Sequence, residues 1–282
     1  NIKYWPSNPD HMITFFAYGP YEAAPTTGAN KGIVLSGKTD KGIPFIDFTL
    51  KEAAKLTEMV DLVVSDQRDQ KYLDNSGTVN FKFGHILSKV LFKVKLKNAL
   101  SGNTKVFVKK LEILGTTNNG PSKFYTKAKY KNQHWNYDGA TIPTGDFNVA
   151  NIMNVAKISG VGDYTKEAIE ATTEAKSLFK NGEFLFLIPV NDSETPDAET
   201  GTTANGEIKV RLTYDAITPD VNDSNKYLVS EAEALVDLPS GALKLGTAYT
   251  YTFNLALNPV KVTVDDTITD WADGTPGNTG DI

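Results

Sequence analysis

The side chains able to do chemistry in this chain are few and scattered. It has three histidines and no cysteine, which excludes thiolate metal sites, thiol nucleophiles and disulfide staples at once. His11, His85 and His134 stand far apart in sequence, and His85 shares the apolar parity of Phe81, Phe83 and Leu87. That placement predicts a packed, hydrogen-bonded imidazole rather than a ligand or base. No HExxH, glycine-rich phosphate loop or GxSxG elbow is present, so the motifs that assemble a metalloprotease, a nucleotide site or a serine hydrolase are missing. Asp265, Asp266, Asp270 and Asp273 offer the oxygen ligands calcium prefers. Their spacing is not that of an EF-hand loop, and the tract reads as a solvated acidic tail. Trp5 and Trp135 are of the type that stacks on sugars, but aromatics alternating with polar residues more often fill a core. The expectation is no catalytic residue, no cofactor and no metal site; a site assembled from distant residues, as in a secreted hydrolase, would need a pocket with paired carboxylates.

Composition narrows the classes further. In 282 residues the apolar share is 40%, with 14 Phe, 12 Tyr and 3 Trp, enough to build cores in a chain long for one sandwich. The net charge of −5 argues against nucleic acid as a partner, because phosphate contacts need a basic face. The distribution is uneven: Lys plus Arg less Asp plus Glu is 20 − 12 = +8 over residues 1–141 and 9 − 22 = −13 over residues 142–282. No apolar run approaches the roughly 20 residues of a membrane-spanning helix. Asn1 stands where an initiator methionine would, and the expectation is a processed species whose signal peptide is out of view.

The elements available to position these residues are strands. Phe92, Val94 and Leu96 alternate with Lys93, Lys95 and Lys97, and Ile208, Val210, Leu212 and Tyr214 alternate with Lys209, Arg211 and Thr213. Period 2 puts each apolar set on one sheet face. Between Val106/Val108 and Leu111/Ile113 the parity flips across Lys109-Lys110, which predicts a β-bulge. Phe184 to Ile188 is continuously apolar and reads as a deeply buried strand. Tyr249, Tyr251, Phe253, Leu255 and Leu257 hold one parity, Asn258-Pro259 breaks the run, and Val260, Val262 and Val264 resume it, the pattern of a long hairpin. Helical spacing is confined to Asp163 to Lys180, with Ala168, Ala171, Ala175 and Leu178 three and four apart, and to a turn or two over Lys51 to Met59. The class is mainly β with short helical insertions. A domain boundary is expected near residues 116–121, giving residues 1–117 and 118–282 as two β-sandwich domains; Asn191 to Gly206 is a long polar loop.

Several features recur in a familiar order: Tyr4-Trp5-Pro6, Phe15-Phe16-Ala17-Tyr18-Gly19-Pro20, Phe81 to Val90, Phe184 to Pro189, Leu245-Gly246-Thr247-Ala248-Tyr249-Thr250-Tyr251, and Ile268-Thr269-Asp270-Trp271. In order and spacing the chain resembles the fimbrillin family of Bacteroidetes surface fimbriae, the type V pilins. The resemblance implies two tandem transthyretin-like Greek-key sandwiches, the first lacking its opening strands here, and no enzymatic activity. It also implies export as a lipoprotein precursor to the outer membrane and cell surface. In the family an N-terminal strand is removed by proteolysis and the groove is filled by a C-terminal segment of the next subunit. The matching segment here carries Val260, Val262, Val264, Ile268 and Trp271. The implied partners are other copies of the chain or related pilins, joined head-to-tail, with host or bacterial surface glycans or proteins as further candidates. A tip adhesin or glycan-binding module of the same fold, reading its target through loops such as Asn191 to Gly206, is the alternative.

Overall fold

The computed structural model describes residues 4–21, 32–37, 42–51, 56, 59–74, 76–101, 103–119, 124–151, 169–179, 183–190, 208–223, 226–238 and 243–257. In chain order the elements are β1 (Ile13–Gly19), β2 (Ile33–Leu35), β3 (Phe45–Thr49), β4 (Val63–Gln70), β5 (Gly84–His85), β6 (Ser88–Leu96), β7 (Lys105–Ile113), the single helical turn α1 (Thr116–Asn119), β8 (Lys127–Lys131), β9 (His134–Thr141), β10 (Phe147–Asn151), β11 (Ile169–Ala171), β12 (Lys176–Ser177), β13 (Leu185–Leu187), β14 (Ile208–Pro219), β15 (Tyr227–Leu238) and β16 (Ala248–Leu255). The fold is mainly β. None of the described helices is long and apolar enough to cross a membrane.

The strands form four sheets. The first is ordered β1-β4-β5 and the second β2-β3-β8-β9; the third runs β12-β6-β13 with β16 also on β6, and the fourth β10-β7-β14-β15 with β11 also on β7. Strand pairing crosses residue 117 repeatedly, since β3 pairs with β8, β6 with β16 and β7 with β14.

Alternation turns directly into burial on the longest strands. Val90, Phe92 and Val94 of β6 are fully buried while Lys89, Leu91, Lys93 and Lys95 stay partly exposed. On β14, Ile208, Val210, Leu212 and Tyr214 are buried in the same way. The bulge falls where the parity flip requires it: Thr213 opposes Lys110 but Tyr214 opposes Val108, so Lys109 is the extra residue. That insertion lets Val106, Val108, Leu111 and Ile113 all reach the core. The β8–β9 hairpin turns on Asn132 and Gln133, both at positive φ (57° and 68°), the geometry that two-residue hairpin loops demand.

Three expectations need correction. The segment 169–179 is not helical: Ile169 to Ala171 pair with Val108 to Val106, and Lys176 and Ser177 pair with Val94 and Lys93. Two open sheet edges outweigh a weak helical spacing that includes the β-branched pair Thr172-Thr173; residues 163–168 lie outside the described set. The shared parity of Phe81, Phe83, His85 and Leu87 reads as one face of a strand, but only Gly84 and His85 pair with β4, and Phe81 and Phe83 are exposed. His85 is hydrogen-bonded but not packed: its Nδ1 lies 2.7 Å from Asp61 Oδ1, and its side chain is 59% exposed.

Candidate functional site

The residues singled out for chemistry do not converge. His11 is exposed near the start, His85 pairs with Asp61 on the surface, and His134 opens β9. Among the described residues no three His, Asp or Glu side chains are grouped to hold a metal. Trp135 is 3% exposed and donates its Nε1–H to the Ile86 carbonyl at 2.6 Å, so it serves the core and offers no face to a sugar. Trp5 is partly buried edge-on against Phe15 and Tyr72, with its Nε1–H on the Gly77 carbonyl. The acidic tract 265–273, the loop 191–206 and the residues Val260, Val262, Val264, Ile268 and Trp271 lie outside the described set.

The titratable groups with shifted pKa sit mostly on the face of the fourth sheet turned away from its core residues. Burial works to lower the Lys109 ammonium, but its contacts with Glu231 and Asp215 outweigh that and hold it above its usual value. Asp146 is likewise opposed by burial, yet the Gly115 N–H, the Asn118 amide and Arg211 pull its carboxyl below the usual range. Arg211 joins Glu112 at 2.9 Å and Asp146 at 2.5 Å. These pairs fasten β7, β14, β15 and the 144–146 loop to one another. Lys109 contacts two carboxylates and Arg211 three, so both cations are held in place by their partners.

The third and fourth sheets form a sandwich closed on one side and open on the other. On the closed side the chain passes from β11 on β7 to β12 on β6, with Leu96 N–H bonded to the Thr172 carbonyl and Leu178 N–H to the Phe92 carbonyl. On the open side the two edge strands are β15 and β16, and neither has a second partner among the described residues. Between them runs a groove of about 330 Å³, lined by Ala234, Val236 and Leu238 of β15 and Tyr251, Phe253 and Leu255 of β16.

Register explains why this groove is apolar. Leu238, Val236, Ala234, Ala232 and Leu228 oppose Ile208, Val210, Leu212, Tyr214 and Thr218 on β14, so they belong to the core face of the fourth sheet. Leu238 is buried, but Val236 is 39% and Leu228 67% exposed. Among the described residues the third sheet ends at β16. The hydroxyl of Tyr251 lies buried beside this groove with no hydrogen-bond partner among the described residues, and burial, helped by Tyr249, pushes it up to about 12.

The inward parity of Tyr251, Phe253 and Leu255 was readable from their spacing. The role of β15 was not. Tyr227–Leu238 carries apolar residues on both parities, as in Leu228-Val229 and Leu235-Val236, and that mixture is the one local sign of a strand uncovered on both faces.

Among the described residues, the open side thus joins a sheet edge without a second partner to uncovered apolar residues of the core face. A sequence model described as fimbrillin-like matches residues 1–271. The chain is 34% identical over 283 aligned positions to the fimbrium subunit Fim1C of Phocaeicola vulgatus, an alignment covering 97% of this chain and 71% of that protein. It is also similar to the crystal structure of a fimbrial protein from Bacteroides vulgatus, with a TM-score of 0.71, 34% identity, and coverage of 94% of this chain and 79% of that one.

Proposed function

The chain belongs to the fimbrillin-like family, and from that premise we propose that it is a structural subunit of a bacterial cell-surface fimbria that joins its neighbours by exchanging β-strands. Membership of a fimbrial-subunit family implies assembly with other pilin subunits at the cell surface. Strand exchange, a lipoprotein precursor in the outer membrane, and support of adhesion and biofilm formation are the finer reading. In it, residues 260–271, with Val260, Val262, Val264, Ile268 and Trp271, form the donated segment.

The observation that carries this reading is the open side of the sandwich. Among the described residues β16 pairs on one side only, and β15 across from it bares Val236 and Leu228. An edge of unpaired N–H and C=O groups beside uncovered apolar side chains rewards an incoming strand twice, by ladder hydrogen bonds and by burial. A head-to-tail joint of this kind is heterologous and propagates into a filament instead of closing as a dimer.

Deletion of residues 260–282 tests the donor assignment. The truncated chain is expected to keep its strand circular dichroism yet form no filaments under the electron microscope. Filaments of ordinary length and number from it would overturn the assignment.

A further inference from the structure

A second group of aromatic side chains stands apart from the core and from the open sandwich. On β1, Phe16 and Tyr18 pack against the core, while Phe15 turns to the other face of the first sheet. There Trp5 lies 5.6 Å from Phe15 and 6.0 Å from Tyr72, and Phe81 lies 6.2 Å from Phe15, each pair edge-to-face. Trp5, Phe15, Tyr72 and Phe81 are neither members of the core nor packed against it. Tyr72 and Phe81 keep much of their surface in water, and Tyr4 beside them is 84% exposed.

Two of these rings are held by the backbone. The Trp5 Nε1–H donates to the Gly77 carbonyl at 3.0 Å, and the Gly77 N–H donates to the Tyr72 carbonyl at 2.8 Å. Gly77 has a φ of 76°, and a Cβ on it would lie 2.7 Å from the Tyr72 ring and 3.3 Å from Trp5 Nε1. Only glycine lets both rings close on this turn. They form a corner, inclined to one another at 72°. A cavity of about 490 Å³ opens on it, lined by Tyr4, Trp5, Pro6, Ser7, Pro9, Tyr72 and Leu73, a size within the range of small-molecule sites.

We propose that this corner binds a neutral pyranose ring of a cell-surface glycan. The chemistry of the walls selects that ligand. Flat aromatic surfaces suit the C–H face of a pyranose. The hydroxyls of Tyr4, Ser7 and Tyr72, all on exposed residues, can both donate to and accept from sugar hydroxyls. No Lys, Arg, Asp or Glu is among the lining residues, so a charged ligand finds no ion-pair partner in the wall. A peptide suits the corner less well, because its backbone N–H and C=O groups need partners. The indole N–H of the wall is already committed to Gly77, whereas a sugar keeps its outer hydroxyls in water. A corner fixed in advance also lowers the entropy lost on binding. The inference rests on the fimbrial reading only for the source of the sugar, and it gives adhesion in that reading a ligand class at a site separate from the groove between β15 and β16.

Nuclear magnetic resonance of the full chain, isotope-labelled at tryptophan, tests it with the methyl pyranosides of glucose, galactose, mannose, fucose and N-acetylglucosamine as probes. At least one is expected to move the Trp5 indole signal saturably in the millimolar range, the affinity of a small neutral ligand, while the signal of buried Trp135 stays in place. Tyr4→Ala and Tyr72→Ala each remove an exposed ring and should weaken that binding by at least about fivefold. Gly77→Ala should weaken it too, since its Cβ displaces the Tyr72 ring. An unchanged Trp135 signal in each variant is the folding control. No movement of Trp5 with any of the probes overturns the proposal, as does movement that neither tyrosine variant weakens. A Trp5 signal moved by tetramethylammonium and by no sugar assigns the corner to a cation, and one that moves with protein concentration alone assigns it to a second copy; either result overturns the sugar site. Filaments from a chain that binds no sugar would sink the site and leave the subunit reading standing. A chain that binds sugar but never polymerises would do the reverse.

Discussion

Phe92 is the residue on which the open sandwich most depends. It is fully buried on β6, and its ring lies 6.1 Å from Phe179, 5.8 Å from Tyr251 and 5.9 Å from Phe253. It thus ties the closed side to the wall of the groove. Phe92→Ala should lower the free energy of unfolding by about 3–5 kcal/mol, the range for emptying a buried aromatic position, as measured by denaturant titration. Tyr251 gives a second prediction, whose sign follows from protonation. Its folded pKa is raised from 10.0 to about 12, first by burial and then by Tyr249. Between those values the folded chain holds a proton that the unfolded chain has released, so stability present below pH 10 is lost as pH rises toward 12. Tyr251→Phe should flatten that alkaline decline relative to the parent, and since the hydroxyl has no described partner it should cost little at neutral pH. An unchanged decline would show that the tyrosinate plays no part. Single residues of this kind were legible where their environment is local: Phe92 from its alternation, Lys109 from the parity flip that makes it the bulged residue. The partners of Lys109, Asp215 and Glu231, lie more than 100 positions away, and no spacing rule reaches that far.

At the scale of elements, the free edge of β16 makes the sharpest prediction. The Thr252 N–H faces the open side, so proline there removes a donor from the edge while sparing the ladder to β6. Edge strands tolerate that substitution. Thr252→Pro should slow filament growth by at least about tenfold while leaving the unfolding free energy within about 0.5 kcal/mol of the parent, the range for surface changes. Electron microscopy against a denaturant curve separates the two effects, and growth at the parental rate would mean that this edge is not used. The same strands mark how far pattern reading goes. β6, β14 and β16 announced themselves because each has one face in a core and the other toward water. β11 and β12 did not, since each is only two or three residues long and takes its conformation from the edge it pairs with. Whether a strand lies at an edge is a property of its neighbours, and β15 illustrates this: its sequence shows a strand, while its exposure follows from the third sheet ending at β16.

For the whole molecule, the question is how an uneven charge is arranged in space. The +8 of residues 1–141 and −13 of residues 142–282 do not divide into two separate bodies, because strands from both parts share sheets. Among the described residues, some of these charges gather on strands of their own. Lys127, Lys129 and Lys131 alternate with buried Ala128 and Tyr130 on β8 in the second sheet, and Lys89, Lys93 and Lys95 line the outer face of β6 in the third. Glu231, Glu233 and Asp237 stand on β15, the last described strand of the fourth, each more than half exposed and each beside one cation, Lys109, Arg211 and Lys209. On the strand-exchange proposal, lysine-rich faces on one part of a subunit and exposed carboxylates on β15 of the next would favour head-to-tail encounter, since like-charged approaches are repelled. That contribution is long-ranged and therefore screened: the Debye length falls from about 10 Å at 0.1 M salt to about 3 Å at 1 M. The initial rate of filament growth, followed by light scattering, should fall by about tenfold or more across that range. Replacement of Lys127 and Lys131 on β8 by glutamate should slow growth at low salt and weaken the salt dependence, because part of the basic surface is then gone. Burial of apolar residues in the joint is indifferent to such ions at these concentrations, so rates that do not move with salt in either protein would leave the strands alone to orient successive subunits.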